Sequence, residues 1–289
     1  MKRQKRVAAV HDISCFGKCS LTVALPVISA AGIECAVVPT AVLSTHTGGI
    51  DGFTFHDLTD EIIPIAEHWK SLNLDFDAIY TGYLGSFEQL DIVSRLFELI
   101  GTKDTLKIVD PVMADNGVLY KSFSRDFPNG MKKLCNKADI LIPNITEAVL
   151  MLDEPYMEGP YTVDYIESLL KKLADMGVNQ VVLTGVHFDE KQLGIATYDK
   201  DSNHFGYFFE DRIEGYYHGT GDVFGSAFTA AILKDFDLTE AAAEAVKYTV
   251  GSIARTRAAG TDVRFGVDFE SGLGEFSNRM TNSTVFSSN

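Results

Sequence analysis

The chain predicts an α/β fold: a three-layer, doubly wound, mostly parallel sheet flanked by helices, with short antiparallel strands near the C-terminal third. Three observations predict it. Short apolar runs of strand length alternate with helix-length amphipathic stretches, the pattern of repeated strand–loop–helix units. Polar groups recur where each run ends, and doubly wound sheets collect ligands at the carboxyl ends of their strands. A glycine-rich turn, Gly219-Thr220-Gly221-Asp222, leads into a helix of small apolar residues.

Val7–Val10 is the first buried strand, followed by a polar loop from His11 to Gly17 and a helical stripe through Leu21, Leu25 and Ile28. Pro26 inside that stripe is expected to kink the helix or shift its start. Ala36–Leu43 is a second strand before the loop Ser44-Thr45-His46-Thr47-Gly48-Gly49. Helices are predicted near Asp57–Trp69 and Phe87–Ile100, with strand and turn between them at Asp77–Tyr83. Leu106–Val109 ends in Asp110-Pro111, and Ile140–Ile142 ends in Pro143-Asn144 and a helix. Tyr165–Met176 reads as helix and Gln180–Leu183 as a strand ending in Thr184-Gly185. Leu193–Tyr198, Phe205–Phe209 and Ile213–Tyr217 read as short antiparallel strands, their aromatics as strand core. Two long helices follow, from about Gly221 and about Thr239. One domain is expected over residues 1–280, with a polar, frayed tail at 281–289.

Composition narrows the function. The formal net charge of −15 disfavours nucleic acid and anionic membranes as partners. It provides no long-range attraction for a nucleotide, so a nucleotide site would rest on local N–H groups and a divalent cation. The four cysteines make no disulfide framework in 289 residues, and the Cys15/Cys19 spacing lacks a second ligand pair for zinc. The apolar run after the basic start is too short for a signal peptide, and no stretch approaches a membrane span, so a cytoplasmic protein is expected.

The glycine turn carries the chemistry. Residues without Cβ let successive N–H groups converge, and a helix start adds free N–H groups and the positive end of its dipole. Together they suit a phosphate. Asp222 beside that cradle is either a cap on the helix or a base for an attacking hydroxyl. The spacing G-x-G-x-x-x-G misses the dinucleotide fingerprint, and no P-loop motif occurs. Asp110 is either a turn former or, with Asp115, a holder of Mg²⁺. Asn144 and Glu147 have capping-box spacing, which leaves Glu147 free to hold a metal-bound water as well. Thr184, Ser14, Thr47, Tyr83, His46 and His218 say little singly; six strand ends delivering polar groups to one edge say more.

As an ordered series, these segments resemble the ribokinase-like kinases. Gly219-Thr220-Gly221-Asp222 is similar to their G-x-G-D signature. Asp110-Pro111-Val112-Met113 and Pro143-Asn144-x-x-Glu147 are similar to the vitamin-kinase branch. Ser14–Ser20, Ser44–Gly48 and Thr81–Ser86 narrow the resemblance to pyridoxal/pyridoxamine kinases, over about Val7–Arg264. The resemblance implies ATP-dependent phosphorylation of the vitamin's 5′-hydroxymethyl group, in vitamin B6 salvage. It implies Asp222 as base, with Gly219, Thr220 and Gly221 as the anion hole. Ser14, Thr47 and Tyr83 would bind the ring, and Asp110, Asn144, Glu147 and Thr184 would serve ATP. Asp110, Asp115 and Glu147 would manage Mg²⁺, largely through water. Members of the family are usually homodimers and often respond to a monovalent cation such as K⁺. The alternatives are a kinase of the same fold acting on hydroxymethylpyrimidine or a sugar, and a non-catalytic pyridoxal phosphate carrier or regulator.

Overall fold

The computed structural model describes residues 3–286. In chain order the elements begin with β1 (Arg6–Ser14), α1 (Leu21–Ala30), β2 (Glu34–Leu43), β3 (Phe55–Asp57) and α2 (Thr59–Ser71). Next are β4 (Ala78–Thr81), α3 (Phe87–Ile100), β5 (Leu106–Val109), the hairpin β6 (Ala114–Asp115) and β7 (Val118–Leu119), and α4 (Phe127–Cys135). Then come β8 (Ile140–Leu141), α5 (Ile145–Leu152), α6 (Val163–Ala174), β9 (Gln180–Val186), β10 (Gln192–Asp199) and β11 (His204–Asp211). The chain closes with α7 (Thr220–Leu233), α8 (Leu238–Ala259) and α9 (Leu273–Phe286).

Nine strands form one sheet in the order β11-β10-β9-β8-β5-β4-β1-β2-β3. From β9 to β2 every neighbouring pair is parallel, while β10, β11 and β3 are antiparallel at the edges. Period-two alternation splits the core. Ala8 and Val10 of β1 face a cluster built with α2 to α6, whereas Val7, with Ala78 and Tyr80 of β4, faces α1, α7, α8 and α9. This is the expected three-layer architecture.

The structure departs from the sequence reading at several elements. β1 runs on through His11–Ser14, because parallel pairing with β2 continues past a bulge between His11 and Ile13. Ile213–Tyr217 is irregular rather than a strand: β11 ends at Asp211, Gly215 takes φ 127°, and Tyr216 is 53% exposed rather than core. α4 was hidden by Pro128 and Gly130, poor helix formers overridden here by burial of Phe127, Met131, Leu134 and Cys135. At the C-terminus α9 extends over 281–286 of the expected tail, and residues 287–289 lie outside the described residues.

Candidate active site

Because β1, β2, β4, β5, β8 and β9 are parallel, their carboxyl ends share one edge of the sheet. Ser14, the loop carrying Thr47, Tyr83, Asp110, Asn144 and Thr184 all sit on that edge or in the loops leaving it. The start of α7 joins them. Gly219 has φ 76°, a conformation that favours glycine, and a Cβ there would collide with the Lys18 carbonyl in the loop after β1. Gly221 is exposed, and a Cβ on it would meet open space. The first helical turn, with its free N–H groups, is therefore open to solvent at Gly221.

Asp222 lies one residue further and is partly exposed. Its close surroundings push its pKa up to about 7: burial is the main cause, a backbone hydrogen bond at Ser20 opposes it, and the charge of Asp12 adds to it. Asp110, at the end of β5, is 8% exposed. Burial first, then Glu147 and Asp222, hold its carboxyl well above the carboxylate range. No described residue donates a hydrogen bond to the Asp110 carboxyl.

Glu147 and Asn144 form the capping box of α5. Glu147 Oε2 accepts from the Asn144 N–H at 2.9 Å and Oε1 from the Met113 N–H at 3.0 Å. Asn144 Oδ1 accepts from the Glu147 N–H at 2.9 Å, and its Nδ2 donates to the Ala114 carbonyl at 2.8 Å. Both side chains are thus committed to pinning the loop after Asp110, while burial lifts Glu147 to about 8 against its backbone donors. Thr184 donates to the Pro143 carbonyl at 3.4 Å, next to Asn144. Asp115 accepts from its neighbour Asn116 N–H at 2.9 Å, and its charge helps burial push the Tyr216 phenol up. Among the described residues, no three His, Cys, Asp or Glu side chains converge as metal ligands.

Ser14 Oγ donates to Asp12 Oδ2 at 2.9 Å and Ser20 Oγ to Oδ1 at 2.6 Å. Asp12 is 5% exposed, and burial raises its pKa against both hydroxyls. Sequence reasoning missed Asp12, although it stands two residues before Ser14, on the same face of a strand. Thr47 is exposed. Its neighbour His46 accepts the Gly48 N–H at Nδ1 (3.1 Å), so the proton sits on Nε2, which donates to the Arg264 carbonyl at 2.5 Å. His218, before the glycine turn, packs against His46 with ring centroids 5.1 Å apart. Both histidines are thus placed as bonded or stacked loop residues. Tyr83 lies 5.5 Å from the Phe123 ring and donates to Ser122 Oγ at 3.4 Å, leaving a partly buried aromatic wall.

A family model described as phosphomethylpyrimidine kinase matches residues 23–265. A protein classed with the phosphomethylpyrimidine kinases, from Bacteroides thetaiotaomicron and crystallised with pyridoxal, is 38% identical; the match covers 95% of this chain and 96% of that one, with a TM-score of 0.90. The pyridoxal kinase of Lactobacillus plantarum is 30% identical over 97% and 99% of the two chains, with a TM-score of 0.86. The thiamine biosynthetic bifunctional enzyme of Arabidopsis thaliana is 30% identical over 227 residues, 78% of this chain but 42% of that longer protein.

Proposed function

Because this chain belongs to the phosphomethylpyrimidine kinase family, we propose that it transfers the terminal phosphoryl group of ATP to the 5′-hydroxymethyl group of pyridoxal, pyridoxine or pyridoxamine. One observation carries the reading: a carboxyl raised to about 7 stands in the first turn of a helix whose glycine start is open to solvent at Gly221. Such a group is a base poised near neutral pH beside a phosphate cradle. The pyridoxal in the Bacteroides structure and the activity named for the Lactobacillus relative support the acceptor.

Ionised Asp222 takes the proton of the vitamin hydroxyl as its oxygen attacks the phosphorus in line. The N–H groups at Gly219, Thr220 and Gly221 receive the charge that develops on the transferring oxygens. Tyr83 supplies ring contact and Thr47 a hydroxyl. The single O–H of Ser14 is committed to Asp12, so Ser14 and Asp12 together offer acceptors to a donor on the ring edge. Asp110 fits a Mg²⁺ role: it is an acid without a described hydrogen-bond donor, near two other acids. Asp115 and Glu147, each already bonded, would act on such an ion through water. When bound, Mg²⁺ neutralises phosphate charge. The same reading makes the protein a cytoplasmic homodimer in vitamin B6 salvage, with K⁺ as a candidate activator. No helix of the described residues is long and apolar enough to cross a membrane.

The family description and the plant relative favour hydroxymethylpyrimidine as the second acceptor to try. The test is an assay with ATP and Mg²⁺ on each vitamer and on hydroxymethylpyrimidine. A higher kcat/KM for a vitamer is expected, and a preference for the pyrimidine overturns the assignment.

The ring pocket makes its own prediction. Ser14→Ala and Thr47→Val should each cost about 0.5–1.5 kcal/mol of vitamer binding, the worth of a neutral hydrogen bond. That is roughly a two- to twelve-fold rise in KM where KM reports binding. Tyr83→Ala should cost more, through lost ring contact. Titrating vitamer and ATP separately on each variant checks this. Weakened ATP with untouched vitamer would mean the two ligands are placed backwards.

A further inference from the structure

Beneath the start of α7, three buried polar side chains have no described hydrogen-bond partner. His11 of β1, Tyr80 of β4 and Ser226 of α7 are each 0% exposed. Both ring nitrogens of His11, Tyr80 Oη and Ser226 Oγ are unpaired. Tyr80 stands between the other two. The His11 and Tyr80 rings lie 4.5 Å apart, edge to face. Tyr80 Oη lies against Gly225, where any Cβ would overlap it. Ser226 is the next residue and faces the phenol without completing a bond to it. The place matters: this phenol supports the helix turn that follows Asp222, and it feels the charges of Asp110 and Asp222.

Buried polar groups in folded proteins are almost always paired, and ordered water does so where no protein group reaches. A water needs roughly two to four polar partners. Here it has a phenol, a hydroxyl and an imidazole. Burial lowers His11 to about 3, so the ring is neutral and offers one donor and one acceptor. We propose that His11, Tyr80 and Ser226 bind a buried water that braces the start of α7 against β1 and β4, making Tyr80 and Ser226 positioning residues for Asp222. The water site stands independently of the proposed reaction; its effect on turnover rests on that reading.

The test joins high-resolution crystallography with kinetics on the wild type, Tyr80→Phe and Ser226→Ala. Each substitution removes one oxygen, so Ser226→Ala serves if Tyr80→Phe fails to fold. The wild type should show a water within hydrogen-bond distance of Tyr80 Oη and Ser226 Oγ. In each variant kcat should fall about tenfold, as a slightly displaced base would cause, with KM for vitamer and ATP unchanged. A dry site in the wild type overturns the proposal. So does a kcat within about twofold of wild type in both variants, or a rise in KM in place of the fall in kcat. If the wild type phosphorylates no acceptor, the proposed reaction fails, and the electron density alone decides the water site.

Discussion

Asp222→Asn is expected to lower kcat by about 10²–10⁴-fold, the usual worth of a positioned base. The amide keeps the size and most hydrogen bonding of the carboxylate but accepts no proton. Because burial raises Asp222 to about 7, wild-type kcat/KM should fall as pH drops through that value and level off above it. The same shift has a consequence for stability of opposite sign. An acid whose folded pKa lies above its ordinary value of 3.8 binds its proton more tightly in the native state than in the unfolded chain. Its ionised form therefore weakens the fold, fully above about pH 7 and not at all below the unfolded value. Asp222→Asn should accordingly melt at a higher temperature than wild type at pH 8, with the gap closing as pH falls toward 4. Steady-state rates and melting curves across pH check both halves. Near-normal turnover in a folded Asp222→Asn protein would remove Asp222 from the base role.

Gly221→Val should reduce turnover at least about 10²-fold, because a side chain there would push the transferring phosphoryl group off its N–H donors. The structure makes this a clean experiment. Gly221 has an ordinary φ, and a Cβ on it meets nothing within 4 Å, so the fold has no reason to change. Gly219 offers no such test, because its φ of 76° and the Lys18 carbonyl would penalise any side chain before a ligand arrived. Matched circular dichroism and melting temperature, with lost turnover, is the expected result. A folded Gly221→Val protein with normal rates would mean the phosphates bind elsewhere.

The candidate site was legible in the sequence where its logic is local. Apolar runs placed α3 and β5 at the residues observed, since burial in a layered fold imposes its own period on the chain. The spacing of Asn144 and Glu147 is a capping box in the structure, because a cap is formed by residues three apart. The glycine turn stands at the start of α7, where its spacing put it, for the same reason. What the sequence left open is what those groups do once neighbours arrive from elsewhere. Glu147, one candidate to hold metal water, has both oxygens occupied by backbone N–H groups, one of them from the loop after β5. Asp115 lies within electrostatic reach of Tyr216, whose segment reads as strand but is irregular in the fold.

By itself, then, the sequence determined the layers, the edge where polar groups gather and the identity of the turn, all of which follow from short-range periodicity and backbone sterics. Tertiary structure alone decided how far each acid is lifted above its ordinary range. Asp12, Asp110, Glu147 and Asp222 come from β1, the end of β5, α5 and α7, and only folding brings their charges within reach of one another. Desolvation and Coulomb coupling depend on atoms far apart in the chain, so no local pattern encodes them.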